Sequence, residues 1–489
     1  MTRRCDRHGM TTSETVQANE IVGTQSERAS WGTLLVVLAG AFITVLDFFI
    51  VNVAIPSMQR DLHAGPAAIQ FVVAGFGLAV ASCLITGGRL GDLYGRRKMF
   101  AIGVAAFTVA SAACGLAPTA GVLIAARVLQ GMAAALLTPQ VLAILGATYT
   151  GRHRALAFNA YGIAIGLAAV FGQLIGGALI TANPGGTGWR SIFLINIPVG
   201  VATLILLPRL VPESRSDGRP GLDLVGAVLV TAGLTAVVLP IVEGQQQGWP
   251  LWTWLCLAGA APLLGAFAAY QRFVARRGGS PLIELGLFRE RVFTIGLLTI
   301  FCYLMALSSF FLVLALYLQQ GRGLSALDSG LVFGLLGIGF FASSAMVPKA
   351  VIRWGRQVIA AGALTVAAGY AAVAEIVAHI GVAGSLGWLA PGLLVAGFGM
   401  GLVIAPLTST VLAGVAPHHA AAASGVLSTA QQAGGAVGIA VVGVVFYRAL
   451  GPHLTPASFG HAFSVSLAVT AVFCVAVAAL VQLMPRHGR

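Results

Sequence analysis

The chain has little charge. Of 489 residues only 9% are Asp, Glu, Lys or Arg, while 58% are hydrophobic. A soluble domain carries roughly 25% charged residues, so a large water-soluble fold is excluded and a polytopic membrane protein remains. Lysine is almost missing, with Lys98 and Lys349 against 26 arginines; the ratio hints at a GC-rich genome and says nothing of mechanism. The six cysteines show neither C-x-x-C spacing nor an exposed pair. Cys5 lies in a polar N-terminal segment and the other five fall inside apolar runs, so neither a disulfide framework nor a metal site is expected. His418 and His419 stand together without a further ligand. There is no P-loop, so ATP is not the expected energy source, and no cofactor is expected. Gly397-Phe398-Gly399-Met400-Gly401 imitates a nucleotide fingerprint, but no strand precedes it and it reads as helix-packing glycine. A net charge of +13 would suggest nucleic acid in a soluble protein. Here the basic residues sit in separate short loops, which excludes that partner. An integral membrane enzyme would gather acidic or His residues on one loop, and no such cluster is found.

What the chain has in abundance is long apolar runs. Residues 1–30 are polar, lack the apolar stretch of a secretory signal peptide and read as a disordered cytoplasmic tail. Fourteen runs follow: 31–55, 68–89, 98–117, 120–143, 155–180, 190–208, 222–243, 250–270, 292–318, 326–347, 357–378, 386–412, 420–447 and 461–483. Each can cross a hydrocarbon core of about 30 Å as a helix rising about 1.5 Å per residue. An even number puts both termini on one side. That side collects 23 of the 28 Lys and Arg residues, against Arg60, Arg190, Arg322 and Arg448 opposite, so both termini are expected in the cytoplasm. An internal repeat appears at an offset of 260 residues, where Tyr94-Gly95-Arg96 matches Trp354-Gly355-Arg356 and Asp92 corresponds to Ile352. The expected architecture is all-α: two six-helix halves, 31–208 and 292–483, a linker 209–291 carrying two extra membrane helices, and a C-terminal tail 484–489.

The densest cluster of charge is Gly87-Gly88-Arg89-Leu90-Gly91-Asp92-Leu93-Tyr94-Gly95-Arg96-Arg97-Lys98, expected as a short polar loop between spans 2 and 3. Asp92 and Arg96 are four apart, so one helical turn would pair them, while Gly91 and Gly95 would admit a neighbouring helix. The stretch resembles the G-x-L-x-D-R-x-G-R-R signature loop of the major facilitator superfamily, with Leu93 in place of the usual Arg. The resemblance implies a cytoplasmic gate made by Gly87, Gly91, Asp92, Gly95, Arg96 and Arg97.

An ionisable side chain inside a span is costly and marks function by default. Asp47 lies in Leu46-Asp47-Phe48-Phe49-Ile50-Val51-Asn52-Val53-Ala54-Ile55-Pro56, which resembles the L-D-x-T-I-V-N-V-A-L-P motif of proton-coupled drug antiporters. It binds a proton or a substrate cation on this reading; the alternative is a carboxylate bonded into the bundle to fix packing. Arg127, the one arginine within a span, opens Arg127-Val128-Leu129-Gln130-Gly131, similar to the R-x-x-Q-G motif tied to proton coupling. A buried guanidinium stays charged and needs a partner or a wet cavity; a cavity shared with Asp47 would let the two fields interact, and a purely structural cation is the alternative. Gln140 has no assigned role. Span 5 carries Gly162, Gly166, Gly172, Gly176 and Gly177 and resembles the G-x-x-x-G-P-x-x-G-G motif of exporters. Gln173 replaces its Pro, which is expected to remove a kink; generic glycine packing is the alternative. Gly188-Trp189-Arg190 with Asn196-Ile197-Pro198 matches the helix 5–6 connection of the fourteen-span branch.

The second half offers fewer candidates. Asn52, Gln130, Phe310, Gln431, Gln432 and Glu375 are taken as lining for a substrate cavity, with Gln319 and Gln320 as further polar candidates. The chain is identified as resembling the fourteen-span drug:proton antiporters of the EmrB/QacA-like group. That implies a multi-pass plasma membrane protein, expected to be bacterial, that uses alternating access and the proton-motive force to expel hydrophobic or amphipathic small molecules. A monomer suffices for this. A dedicated exporter of one endogenous metabolite or antibiotic and a proton-coupled nutrient symporter are the alternatives.

Overall fold

The structure, a computed structural model, describes residues 12–215, 223–244, 247–279, 281–283, 285–380, 384–413, 420–451 and 455–484. Fourteen long helices carry the fold: α1 Thr12–Leu62, α2 Pro66–Tyr94, α3 Arg96–Gly115, α4 Ala120–Thr148, α5 Gly151–Ala182, α6 Asn196–Leu210, α7 Leu224–Gly244, α8 Leu251–Arg276, α9 Arg291–Leu316, α10 Ala326–Ser344, α11 Gln357–Ile380, α12 Ala390–Ala413, α13 Ala420–Leu450 and α14 Pro456–Leu483. Thirteen are long and apolar enough to cross a membrane, and the bent helix α5 makes fourteen. No strand occurs among the described residues. In lipid each backbone N–H and C=O must be satisfied within its own segment, which helices alone achieve for separate spans.

The halves repeat one packing plan. α4 lies against α2 and α3, as α12 lies against α10 and α11. The halves meet through two equivalent contacts, α2 on α13 and α5 on α10. α7 and α8 form a hairpin at the edge, and α7 touches both α2 and α13, so it rests on both halves. The repeat seen in the sequence returns as backbone geometry: Gly95 and Gly355 both have positive φ, at 106° and 53°. Such values suit glycine and break the helix after Tyr94 and after the short helix Val347–Trp354.

Three features differ from the sequence expectations. Residues 12–30, read as a disordered tail, continue α1 as one helix. The segment holds no proline, so every residue in it can donate its backbone N–H to the helix. Residues 1–11 and 485–489 lie outside the described residues, as do His418 and His419. The charged stretch after span 2 is not a loop: α2 runs through Tyr94 and α3 starts at Arg96, leaving Gly95 as the whole connection. Finally, α5 is bent by 43° between Leu156–Ala169 and Phe171–Ala182 although Gln173 replaces the expected proline. The bend falls between Gly166 and Gly172, and α5 holds no proline.

Candidate functional site

Asp47 and Arg127 come together at the centre of the first half. Both side chains are fully buried, and Nη1 of Arg127 donates to Oδ2 of Asp47. Oδ1 of Asp47 accepts from Nε2 of Gln130 at 2.9 Å and from Nδ2 of Asn196 at 2.8 Å. The guanidinium also donates to the carbonyl of Val72 at 3.0 Å and to Oε1 of Gln130 at 2.7 Å. Ser111 receives Nε2 of Gln130 at 2.6 Å and Nδ2 of Asn196 at 3.1 Å. Thus α1, α2, α3, α4 and α6 converge on a single ion pair. Spacing explains the local part: Arg127 and Gln130 are three apart on α4 and share a face.

The pair does not share an open, wet cavity. It is sealed inside the first half, with Arg127 and Asp47 at 0% exposure, because five helices close over it. An aromatic relay leads outward from it. The guanidinium carbon lies 4.3 Å from the ring centre of Phe76, and Phe76 lies 6.1 Å from Phe48. Phe48 fills a notch made by Gly77 of α2 and Gly435 of α13, where an added Cβ would meet its ring at 3.2 and 3.4 Å. The ion pair is therefore two rings from the seam between the halves.

The seam is closed on the side away from Gly95, here the far side. Phe49 meets Phe311 of α9 at 5.0 Å, and Phe311 meets Phe333 of α10 at 5.3 Å. At the far end, Nε2 of Gln320 donates to Oε1 of Gln59 at 2.6 Å. The glycines of α5 divide into two sets. An added Cβ at Gly172 or Gly176 would press on α1, while one at Gly166 or Gly177 would strike Phe340 or the Ala326 carbonyl of α10. Gln173 donates Nε2 to the Phe49 carbonyl at 2.6 Å.

At the Gly95 side, Arg96 pairs with Asp92 at 3.1 Å. Gly87 and Gly91 seat α2 on α4, where Gln140 donates Nε2 to the Gly87 carbonyl at 2.8 Å. Gln140, unassigned by sequence, thus bolts these helices together. Sequence reasoning missed Glu213, whose carboxylate accepts the N–H groups of Arg97 and Lys98 at 3.0 and 3.2 Å. It caps the start of α3, where the helix dipole favours an anion, and Arg96 N donates to the neighbouring Ser214 carbonyl at 3.0 Å. The signal available was an acid in the Pro212-Glu213-Ser214 stretch after span 6.

The proposed cavity residues do not form one group. Gln130 belongs to the ion-pair network, and Phe310 is core, stacked on Tyr370 at 4.3 Å. Glu375 is 73% exposed near the far end of α11, beside His379 at 3.3 Å; a carboxylate at a helix end keeps its water. Asn52 is buried with Oδ1 unpartnered. Gln431 and Gln432 are half-buried on α13, Gln432 with its carbonyl near Gly77. On the far side, Asp61 accepts from Nε1 of Trp189 at 2.9 Å and from Arg190, pinning the helix 5–6 connection to α1. Among the described residues no group of three or more His, Cys, Asp or Glu could hold a metal ion.

Two equivalent six-helix halves meet at one seam with a buried ion pair beside it, and the family model and relatives that match the chain are those of membrane transport proteins, not enzymes. The chain belongs to the major facilitator superfamily, whose family model matches residues 37–439. It is 41% identical to the "Probable actinorhodin transporter" of Streptomyces coelicolor over 87% of this chain and 74% of that protein. It is 35% identical to the puromycin resistance protein pur8 of Streptomyces alboniger over 93% and 92%. Among solved structures, the human organic anion transporter MFSD10 (TETRAN) shares the fold at 16% identity, with a TM-score of 0.61 over 92% of this chain and 99% of that one.

Proposed function

We propose that the protein exports hydrophobic or amphipathic small molecules in exchange for protons, by alternating access of its two halves. The far side is then the cell exterior, and both termini lie in the cytoplasm, as the distribution of arginine favours. The observation that carries the reading is the Asp47–Arg127 pair, held two rings from the seam. Protonating Asp47 removes the charge that holds Arg127. The guanidinium then keeps the Val72 carbonyl, Gln130 and the rings of Phe76 and Phe193. A shift of Phe76 is passed to Phe48, which is wedged against α13 of the other half. The proton thereby acts on the contact between the halves without entering the path of the exported molecule. One charge moving through 100 mV contributes about 2.3 kcal/mol to the cycle.

A dedicated exporter of one antibiotic is the second reading, favoured by relatives whose names carry single compounds, actinorhodin and puromycin. The test is a resistance and dye-efflux panel in a pump-deficient host, with and without a protonophore. Protonophore-sensitive efflux of several unrelated compounds supports the broad pump, and of one compound the dedicated exporter. Uptake driven by an inward proton gradient would overturn both.

A further inference from the structure

A cavity of about 850 Å³ lies apart from the ion pair, between α2 and α4 on one wall and the α7–α8 hairpin on the other. Its lining includes Ser82, Thr86, Leu136, Ala232, Leu239 and Cys256. The size is that of a drug-sized ligand site. The shape is elongated: the lining runs along α7 from Leu224 to Leu239, roughly 22 Å at about 1.5 Å per residue, more than one leaflet's share of a core about 30 Å thick. Leu224, Val228 and Met132 at its rim are exposed on the outer surface of the bundle, so it opens sideways to the bilayer.

The end on the Gly95 side carries a basic residue, Arg89. Arg89 follows Ser82 and Thr86 on one stripe of α2 and donates to the Pro281 carbonyl at 2.5 Å, which places it beside the hairpin. Gln271 donates to Asp223 at 2.6 Å at the start of α7. Asp223 is the acid on this rim. Its two oxygens are engaged by Gly226 N and Gln271, and it is 8% exposed.

We propose that this groove binds an anionic phospholipid of the cytoplasmic leaflet, one acyl chain along α7 and its phosphate against Arg89. Basic pockets between membrane helices on that side suit such headgroups. A long apolar slot open to the bilayer takes a chain better than a compact solute. Because α7 touches both α2 and α13, the lipid sits where the hairpin bridges the two halves.

The full-length protein would be reconstituted in phosphatidylcholine nanodiscs with and without phosphatidylglycerol, released into detergent, and the retained lipid counted by native mass spectrometry. Wild type should retain one tightly held phosphatidylglycerol. Ala232→Trp, which fills the slot, should lose it, and Arg89→Gln should weaken retention about fivefold, since one basic residue near the surface contributes about 1 kcal/mol. Val472→Trp on the exposed face of α14 should behave as wild type. Should Ala232→Trp elute as aggregate, Ala232→Leu takes its place. Equal retention by all variants, or equal retention of phosphatidylcholine, would overturn the proposal. So would loss of export-substrate binding in Ala232→Trp with lipid retention unchanged, which would make the groove a substrate port.

Discussion

Replacing Asp47 by Asn, Arg127 by Met, and both together tests whether the ion pair is an engine or a staple. Asp47 accepts three hydrogen bonds in a site with no exposure. Removing one member of a buried pair strands the other's charge and costs about 3–5 kcal/mol, while replacing both is close to neutral or stabilising. Asp47→Asn leaves a charged guanidinium with two oxygens and two rings; Arg127→Met leaves a carboxylate held by Gln130 and Asn196. Each single variant should still insert but unfold at lower temperature in detergent. The double variant should recover most of the loss, giving a coupling energy of roughly 3 kcal/mol or more. Transport should not recover: in vesicles an imposed proton gradient should drive no dye efflux in any of the three. A double variant as unstable as the sum of the singles would mean that the charges do not compensate each other. Wild-type proton-driven efflux in Asp47→Asn would refute the proposed role outright.

Three further outcomes follow from the geometry. Asp92→Asn and Glu213→Gln should each slow turnover while leaving substrate affinity unchanged, and Glu213→Gln should cost about 1 kcal/mol from the weakened cap; unchanged turnover in vesicle assays would count against a gate there. Gln173→Pro should preserve dye efflux, because a proline at 173 displaces the bond to the Ala169 carbonyl, beside the existing bend; a misfolded product would show that the Gln173–Phe49 bond matters more than the bend. Glu375→Gln should leave efflux as in wild type, the residue being 73% exposed near the end of α11; lost activity would reinstate it as a site.

The helices were legible because apolar length is a one-dimensional property, and the repeat was legible because Gly95 and Gly355 mark equivalent breaks. The partnership of Asp47 with Arg127 could be anticipated, since a lone buried acid and a lone buried base each need compensation. Their enclosure could not. Burial by five helices depends on which faces of α1, α3 and α6 turn inward, and Ser111 and Asn196 look like ordinary polar residues until those faces are known. Glu213 was hidden for a similar reason: its partners are backbone N–H groups of a helix start 115 residues away, which no side-chain pattern announces.

The continuity of α2 through Tyr94 has a mechanical consequence. From Gly77, where the helix bears on the opposite half, to Asp92 is a rigid arm of about 22 Å. A swing of roughly ten degrees at that fulcrum sweeps the tip through about 4 Å. Small rotations at the middle of the bilayer are thus magnified at the membrane surface, where a rod of this kind turns a modest tilt into a displacement as long as a side chain.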